Sequence, residues 1–249
     1  MSGSIRLFVT DPLEAGAEAA GTAAQGHYLA HVMRRAVGAP VLLFNGRDGE
    51  WRARIAALRG DRVRFVAVER VRPQPGDVSG SWLVFALLKR DATDLVVRAA
   101  TELGVAALLP VATERTNAAR ANLDRLRAIA AEAAEQSERL TVPDIREPVA
   151  LDALLLTWPV QRTLFAALER SVPPAPPAAE LPRPIGGLAG LLVGPEGGFT
   201  VRELDALGAH PFVVPVSLGP LILRAETAAI AGLALLQGPG FVACQGQPA

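Results

Sequence analysis

The sequence predicts an α/β architecture with a mainly parallel sheet, preceded by a small β-barrel or meander. Three observations carry this. Residues 1–72 hold short alternating strands separated by glycine turns. From Trp82 onward, nearly continuous apolar strands alternate with helical patterns, as buried parallel strands and their crossovers require. Between them, Pro73–Gly76 interrupts both patterns, so the expected domains are 1–72 and 73–249.

In the first domain, Ile5–Thr10 reads as a strand, and Gly26–Val37 as a helix with His27, His31, Arg34 and Arg35 among its polar residues. Val41–Asn45 is a second strand, closed by the turn Gly46-Arg47-Asp48-Gly49. Trp51–Leu58 alternates, with Trp51, Ala53, Ile55 and Ala57 on one face. Gly60-Asp61 marks a turn, and Arg62–Val71 alternates again.

In the second domain, Trp82–Leu88 is an apolar strand, and Asp91 is placed to cap a helix that runs to Leu103 and stops at Gly104. Val105–Ala112 is a strand and Leu123–Arg139 a helix. Thr163–Leu168 is a strand, whereas Val172–Pro184, with six prolines in 13 residues, is not regular. Leu188–Val193 is a strand followed by Gly194-Pro195-Glu196-Gly197-Gly198, and Thr200 and Glu203 form a capping box for the next helix. Phe212–Leu218 is the last strand, and a helix runs from Arg224 to Gln237.

Composition excludes several classes. Half of the 249 residues are hydrophobic, which rules out wholesale disorder. The longest apolar stretch, Ala228–Leu236, is far short of the ~20 residues that span a bilayer, so no membrane association is expected. Met1–Thr10 lacks an apolar core of signal-peptide length. A single cysteine, Cys244, excludes an internal disulfide framework and a zinc ribbon, and a reducing cytoplasm is the expected compartment. His27 and His31 stand one helical turn apart, a spacing that suits a metal, but the sequence offers no third ligand and no metal is expected. Residues 1–72 carry 11 Lys+Arg against 7 Asp+Glu, within a chain of zero net charge. Two readings of this surplus stay open: chance clustering of charge, or a first domain that contacts a polyanion.

Open parallel sheets bind ligands beyond the C-terminal ends of their strands. Two loops there are glycine-rich: Val193–Thr200, and Ser217-Leu218-Gly219-Pro220 leading through Leu223 and Arg224 to Glu226, Thr227 and Ala228. Their spacing matches neither G-x-G-x-x-G nor G-x-x-x-x-G-K-[ST], which disfavours a nicotinamide-dependent enzyme. Two readings stay open from the residues alone. One is a backbone-lined small-molecule site near Glu196, Arg224 and Glu226; the other is a pair of tight turns with an Arg224–Glu226 surface pair.

The same loops carry a family resemblance. Gly194-Pro195-Glu196-Gly197-Gly198-Phe199 and Leu218-Gly219-Pro220-Leu221-Ile222-Leu223-Arg224-Ala225-Glu226-Thr227-Ala228 are the specific motifs. Further matches are Arg6-Leu7-Phe8-Val9, His31-Val32-Met33-Arg34, Phe44-Asn45-Gly46, Ala86-Leu87-Leu88-Lys89, Thr101–Val105, Thr113-Glu114-Arg115 and Glu132–Arg139. With them the chain resembles the RsmE family of bacterial 16S ribosomal RNA (uracil-N3)-methyltransferases. That family belongs to the SPOUT superfamily, with a trefoil-knotted catalytic domain. The resemblance implies S-adenosyl-L-methionine as cofactor, a PUA-like RNA-binding barrel at the N-terminus, 16S rRNA or the small ribosomal subunit as partner, and a homodimer. It places cofactor contacts at Val193, Gly194, Pro195, Glu196, Gly197, Gly198, Ser217, Leu218, Gly219, Leu223, Arg224, Thr227 and Ala228. Arg224 and Glu226 become the catalytic candidates: a cation for the developing uracil anion and a carboxylate for the N3 proton. RNA contacts are expected at Arg6, His31, Arg34, Arg35, Arg47, Lys89, Arg90, Glu102, Arg115, Gln136 and Arg139, with Arg52 a further phosphate partner. The alternative is a non-catalytic RNA-binding protein on the same fold.

Overall fold

The computed structural model describes residues 5–76, 80–116, 121–168, 175–177 and 188–237. Cys244 and most of the proline-rich stretch Val172–Pro184 lie outside the described residues. By contacts the chain forms two units, residues 1–78 with 130–142, and residues 79–129 with 143–249.

The first unit holds β1 (Arg6–Phe8), β2 (Glu18–Ala20), α1 (Ala23–His27), β3 (Pro40–Phe44), β4 (Glu50–Arg59) and β5 (Arg62–Arg72). The sheet order is β1-β3-β4-β5-β2, with β1 parallel to β3 and the other pairs antiparallel. Alternation in β4 and β5 sends Ala53, Ile55, Val63, Phe65 and Ala67 into a core with Leu7, Leu29, Val41 and Leu43. The expected helix Gly26–Val37 is shorter and differently wound. Thr22 and Gln25 close a capping box for α1, and Tyr28–Val32 continues as a π-helical turn. The strand β2 has no sequence signal of its own and exists by pairing with β5.

Arg6 is one of the ties between residues 130–142 and the rest of this unit. Its Nε meets Glu50 Oε1 at 2.6 Å, and its Nη atoms donate to the carbonyls of Ala134, Glu135 and Arg139. These carbonyls lie in or beyond the last turn of α3 (Leu123–Gln136), where no helical donor remains. Ala134, Leu140 and Val142 pack with Phe44 and Phe8. The helix ends at Gln136, not Arg139, and Glu138 takes the left-handed conformation (φ 59°) that ends it.

The second unit contains β6 (Trp82–Ala86), α2 (Arg90–Glu102), β7 (Ala107–Ala112), β8 (Asp144–Ile145), β9 (Val149–Ala150), α4 (Leu151–Thr157), β10 (Thr163–Ala167), β11 (Ala189–Val193), α5 (Val201–Gly208), β12 (Val213–Val216) and α6 (Ala225–Gln237). The sheet runs β12-β10-β11-β6-β7-β8, with β9 also on β7, and every pair is parallel. Asp91 does not cap α2. Lys89 occupies that position without a side-chain bond, and Asp91 lies in the first turn, where a carboxylate still favours the helix dipole. The α6 helix packs on α2 and β11. Gly232 permits this, since a Cβ there would stand 2.7 Å from Leu191.

Candidate functional site

Within the second unit, β10, β11 and β12 end side by side, with β10 between the other two. Beyond their C-terminal ends lies a cavity of about 810 Å³. One wall is Val193–Phe199 after β11; the other is Ser217–Ala225 after β12, with Ala228 of α6. Ala167 at the end of β10, Leu168 after it, Arg115 and Leu204 complete the lining.

The walls are mostly main chain. Gly194 lacks room for a side chain, because a Cβ would stand 2.8 Å from the Phe199 ring. Gly219 has φ +122°, a conformation L-residues rarely adopt. Ser217 Oγ accepts from Gly219 N–H at 3.3 Å, and Ser217 N–H donates to Pro176 O at 2.9 Å. On the other side, Gly198 N–H closes a turn on Pro195 O.

A second layer holds the β11 loop. Glu203 is buried, and one carboxylate oxygen accepts the Thr200 N–H at 2.8 Å, completing the capping box of α5. The other accepts the Glu114 N–H at 2.8 Å. The neighbouring Arg115 then donates from Nη1 to Gly197 O at 2.8 Å. Arg202, the residue before Glu203, bridges Glu114 and Asp152 from the surface.

The cavity collects most of the expected cofactor residues: Val193, Gly194, Pro195, Glu196, Gly197, Gly198, Ser217, Leu218, Gly219, Leu223, Arg224 and Ala228. Thr227 and Glu226 are not in its lining. Ala225 and Ala228 of the same helical turn are in it. Gly197 is also less constrained than its neighbours, for a Cβ would meet only the Arg115 side chain at 3.4 Å. Arg115, expected on RNA, also forms part of the cavity wall. Its position after β7, another strand C-terminus, is the signal that could have found it. Arg224 is exposed at the start of α6 and forms no ion pair among the described residues, so the Arg224–Glu226 surface pair is absent.

The expected RNA residues are spread over both units. His31, Arg34, Arg47, Lys89, Arg90, Glu102, Arg115 and Gln136 are exposed, and Arg35 is half-buried. Arg47 also donates to Thr10 O. Arg52 pairs with Glu69 on the surface. Arg6 is withdrawn from the set, because its side chain is 7% exposed and is held by Glu50 and three carbonyls. Arg139 lies past the helix, not on its face; burial pushes its guanidinium down to about 10, and Nη2 donates to Thr141 Oγ1.

The comparisons with known proteins agree with this geometry. Residues 78–237 match the family model of an RNA methyltransferase domain, and residues 22–68 that of an RNA methyltransferase PUA domain. The chain is 34% identical over 212 residues to the ribosomal RNA small subunit methyltransferase E of Rickettsia conorii, covering 84% of each chain. It is 34% identical over 252 residues to that of Mycobacterium bovis, covering 91% of this chain and 89% of the relative. A crystal structure of the Neisseria gonorrhoeae ribosomal RNA small subunit methyltransferase E bound to S-adenosyl methionine superposes with a TM-score of 0.83 at 27% identity. That match covers 94% of this chain and 97% of the other. With a family model spanning most of its length and relatives matched nearly end to end, this chain belongs to the ribosomal RNA small subunit methyltransferase E family.

Proposed function

We propose that this protein transfers a methyl group from S-adenosyl-L-methionine to N3 of a uridine in 16S ribosomal RNA. The observation that carries the reading is the cavity after β10, β11 and β12, walled by two glycine loops with Arg224 and Glu196 in its lining. Its residues fit the cofactor. The volume of about 810 Å³ lies in the usual range for small-molecule sites. Main-chain groups of Gly194–Gly198 and Ser217–Gly219 supply donors and acceptors, and Leu168, Leu218, Leu223 and Ala228 supply apolar walls.

When bound, S-adenosyl-L-methionine supplies an electrophilic methyl group on a sulfonium. The chain's own residues do the rest. The two glycine loops hold and orient the nucleoside through backbone contacts, without side chains that would fill the space. Uridine N3 must lose its proton before its lone pair attacks, which leaves negative charge on the uracil oxygens. Arg224 presents a permanently charged fork of donors to that charge, an interaction that strengthens in the transition state. Glu196 is the carboxylate of the cavity lining and takes the proton-accepting role that the sequence suggested for Glu226. Exposed Arg34 and Arg47, with Arg35, give the first unit a phosphate-binding surface.

The trefoil knot implied by the family resemblance belongs to the same reading, as does a homodimer. Leu221 and Ile222 are 76% and 61% exposed beside the cavity, and Leu235 is exposed on α6; these are apolar side chains that a second copy could cover. A cytoplasmic location follows from the ribosomal substrate. Mass spectrometry of 16S rRNA nucleosides from cells with and without the gene tests the activity. Loss of 3-methyluridine from the deleted strain and its return with the wild-type gene is the expected result.

A further inference from the structure

The first unit brings together three side chains that the methyl-transfer reading leaves unused as a group. His27, His31 and Asp61 offer ligand atoms that all lie within 4.8 Å of one another, on the surface. Along the chain, two histidines stand at helical spacing with no third ligand near them. The fold supplies it from 34 residues away, in the turn between β4 and β5.

The approach is specific. Gly26 is buried against that turn, and a Cβ on it would stand 2.1 Å from the Asp61 carbonyl oxygen. Only glycine lets the helix come this close, and the next residue is His27. Its Nδ1 then lies 3.2 Å from Asp61 Oδ1. Two ligand atoms on a tetrahedral zinc, with bonds of about 2.0–2.1 Å, are separated by roughly 3.3–3.4 Å. The His27–Asp61 distance is therefore close to one edge of such a tetrahedron. His31 follows on the π-helical turn, its ring centroid 4.7 Å from that of His27. The His27 and Asp61 side chains are 60% and 55% exposed, so small rotations are free to bring the third donor in.

We propose that His27, His31 and Asp61 form a three-ligand site for a first-row divalent cation of the zinc type. Two imidazoles and one carboxylate are a donor set that zinc accepts, and three protein ligands leave a fourth position for water or an anionic oxygen. The site joins the α1 segment to the β4–β5 turn.

The test uses the untagged full chain, stripped with a chelator. Zn2+ is titrated calorimetrically, and Co2+ is added in parallel to read coordination from its visible absorption. One equivalent should bind, with the intense cobalt bands of a four-coordinate site. His27→Ala, His31→Ala and Asp61→Asn should each weaken binding by at least about tenfold, since even indirect partners of a metal cost that much. Asp61→Asn keeps a side-chain oxygen for hydrogen bonding and so separates metal ligation from simple bracing. His210→Ala and Cys244→Ser should change nothing. Circular dichroism on each variant establishes that it is folded. Absence of binding overturns the proposal. So does binding that survives His27→Ala and Asp61→Asn, or that disappears with His210→Ala or Cys244→Ser.

Discussion

Glu203 Oε1 accepts the backbone N–H of Glu114 at 2.8 Å, across 89 residues of sequence. The same carboxylate caps α5 through Thr200. One buried group thus fixes both the helix after the first glycine loop and the segment that carries Arg115 to Gly197. Glu203→Ala removes a cap and leaves the Glu114 amide unpaired, for an expected loss of about 2–4 kcal/mol. Cofactor affinity should fall with it. Urea unfolding and calorimetry on the same variant check both effects, and unchanged affinity would separate α5 from the site.

The two loops should respond unequally to an added methyl group. Gly219→Ala forces a non-glycine residue to φ +122°, costing at least ~1–2 kcal/mol, or roughly tenfold in cofactor affinity. Gly197→Ala meets only ordinary contact with Arg115 and should bind S-adenosyl-L-methionine nearly as well as wild type. Calorimetric titration of the pair gives the ratio. Equal losses would mean that the backbone conformation of Gly219 does not decide cofactor binding.

Arg224→Ala should lower the single-turnover rate by ~100-fold or more, the scale of a lost oxyanion-type donor. Cofactor affinity should change much less, and lysine should rescue poorly because it lacks the guanidinium fork. Glu196→Gln should slow the reaction, whereas Glu226→Gln, outside the cavity lining, should leave the rate within a few-fold of wild type. A larger effect at Glu226 than at Glu196 would return the proton-accepting role to Glu226.

Arg6 and the pair Arg34–Arg35 should separate stability from RNA binding. Arg6→Ala leaves the buried Glu50 carboxylate only Arg72 Nη1, at 3.5 Å, and strips three carbonyls of their donor; removing one partner of a buried pair costs about 3–5 kcal/mol, and Arg72 should hold the loss near the lower end. Replacing Arg34 and Arg35 by glutamine should leave stability nearly unchanged and reduce the salt dependence of RNA binding by about one to two released counterions. Thermal melts and binding isotherms at several salt concentrations distinguish the two classes.

Burial raises the Glu135 carboxyl above its ordinary 4.5, although the Phe8 N–H and Gln25 amide donate to it. The fold therefore disfavours the ionised form. Stability should decline as pH rises from about 4.5 through the raised folded value, then level off. Glu135→Gln keeps an acceptor for the Phe8 N–H and removes the charge. Its advantage over wild type, read as a difference in melting temperature, should be least in acid and grow toward neutrality. A constant difference from acid to neutral pH would show that Glu135 ionisation does not matter.

Periodicity alone made the long elements legible. Alternation in Trp51–Leu58 and Arg62–Val71 corresponds to β4 and β5, and the apolar runs at Trp82 and Leu188 to β6 and β11. Thr200 and Glu203 announced their capping box because both partners lie within one helical turn. The glycine loops were visible too, since a chain that must turn tightly and leave space can use few other residues. Local pattern could not supply β2, β8 and β9, which have two or three residues each and exist through pairing with distant strands. Nor could it reveal that Arg6 binds the end of α3, that Arg115 forms part of the cavity wall, or that Asp61 stands beside His27. The sequence determined which segments are strands and helices and which loops carry the glycines, because those follow from burial and backbone freedom within a few residues. Only the tertiary structure decided which charged side chains are exposed, buried or brought together, because a charge's environment is set by elements remote in the chain.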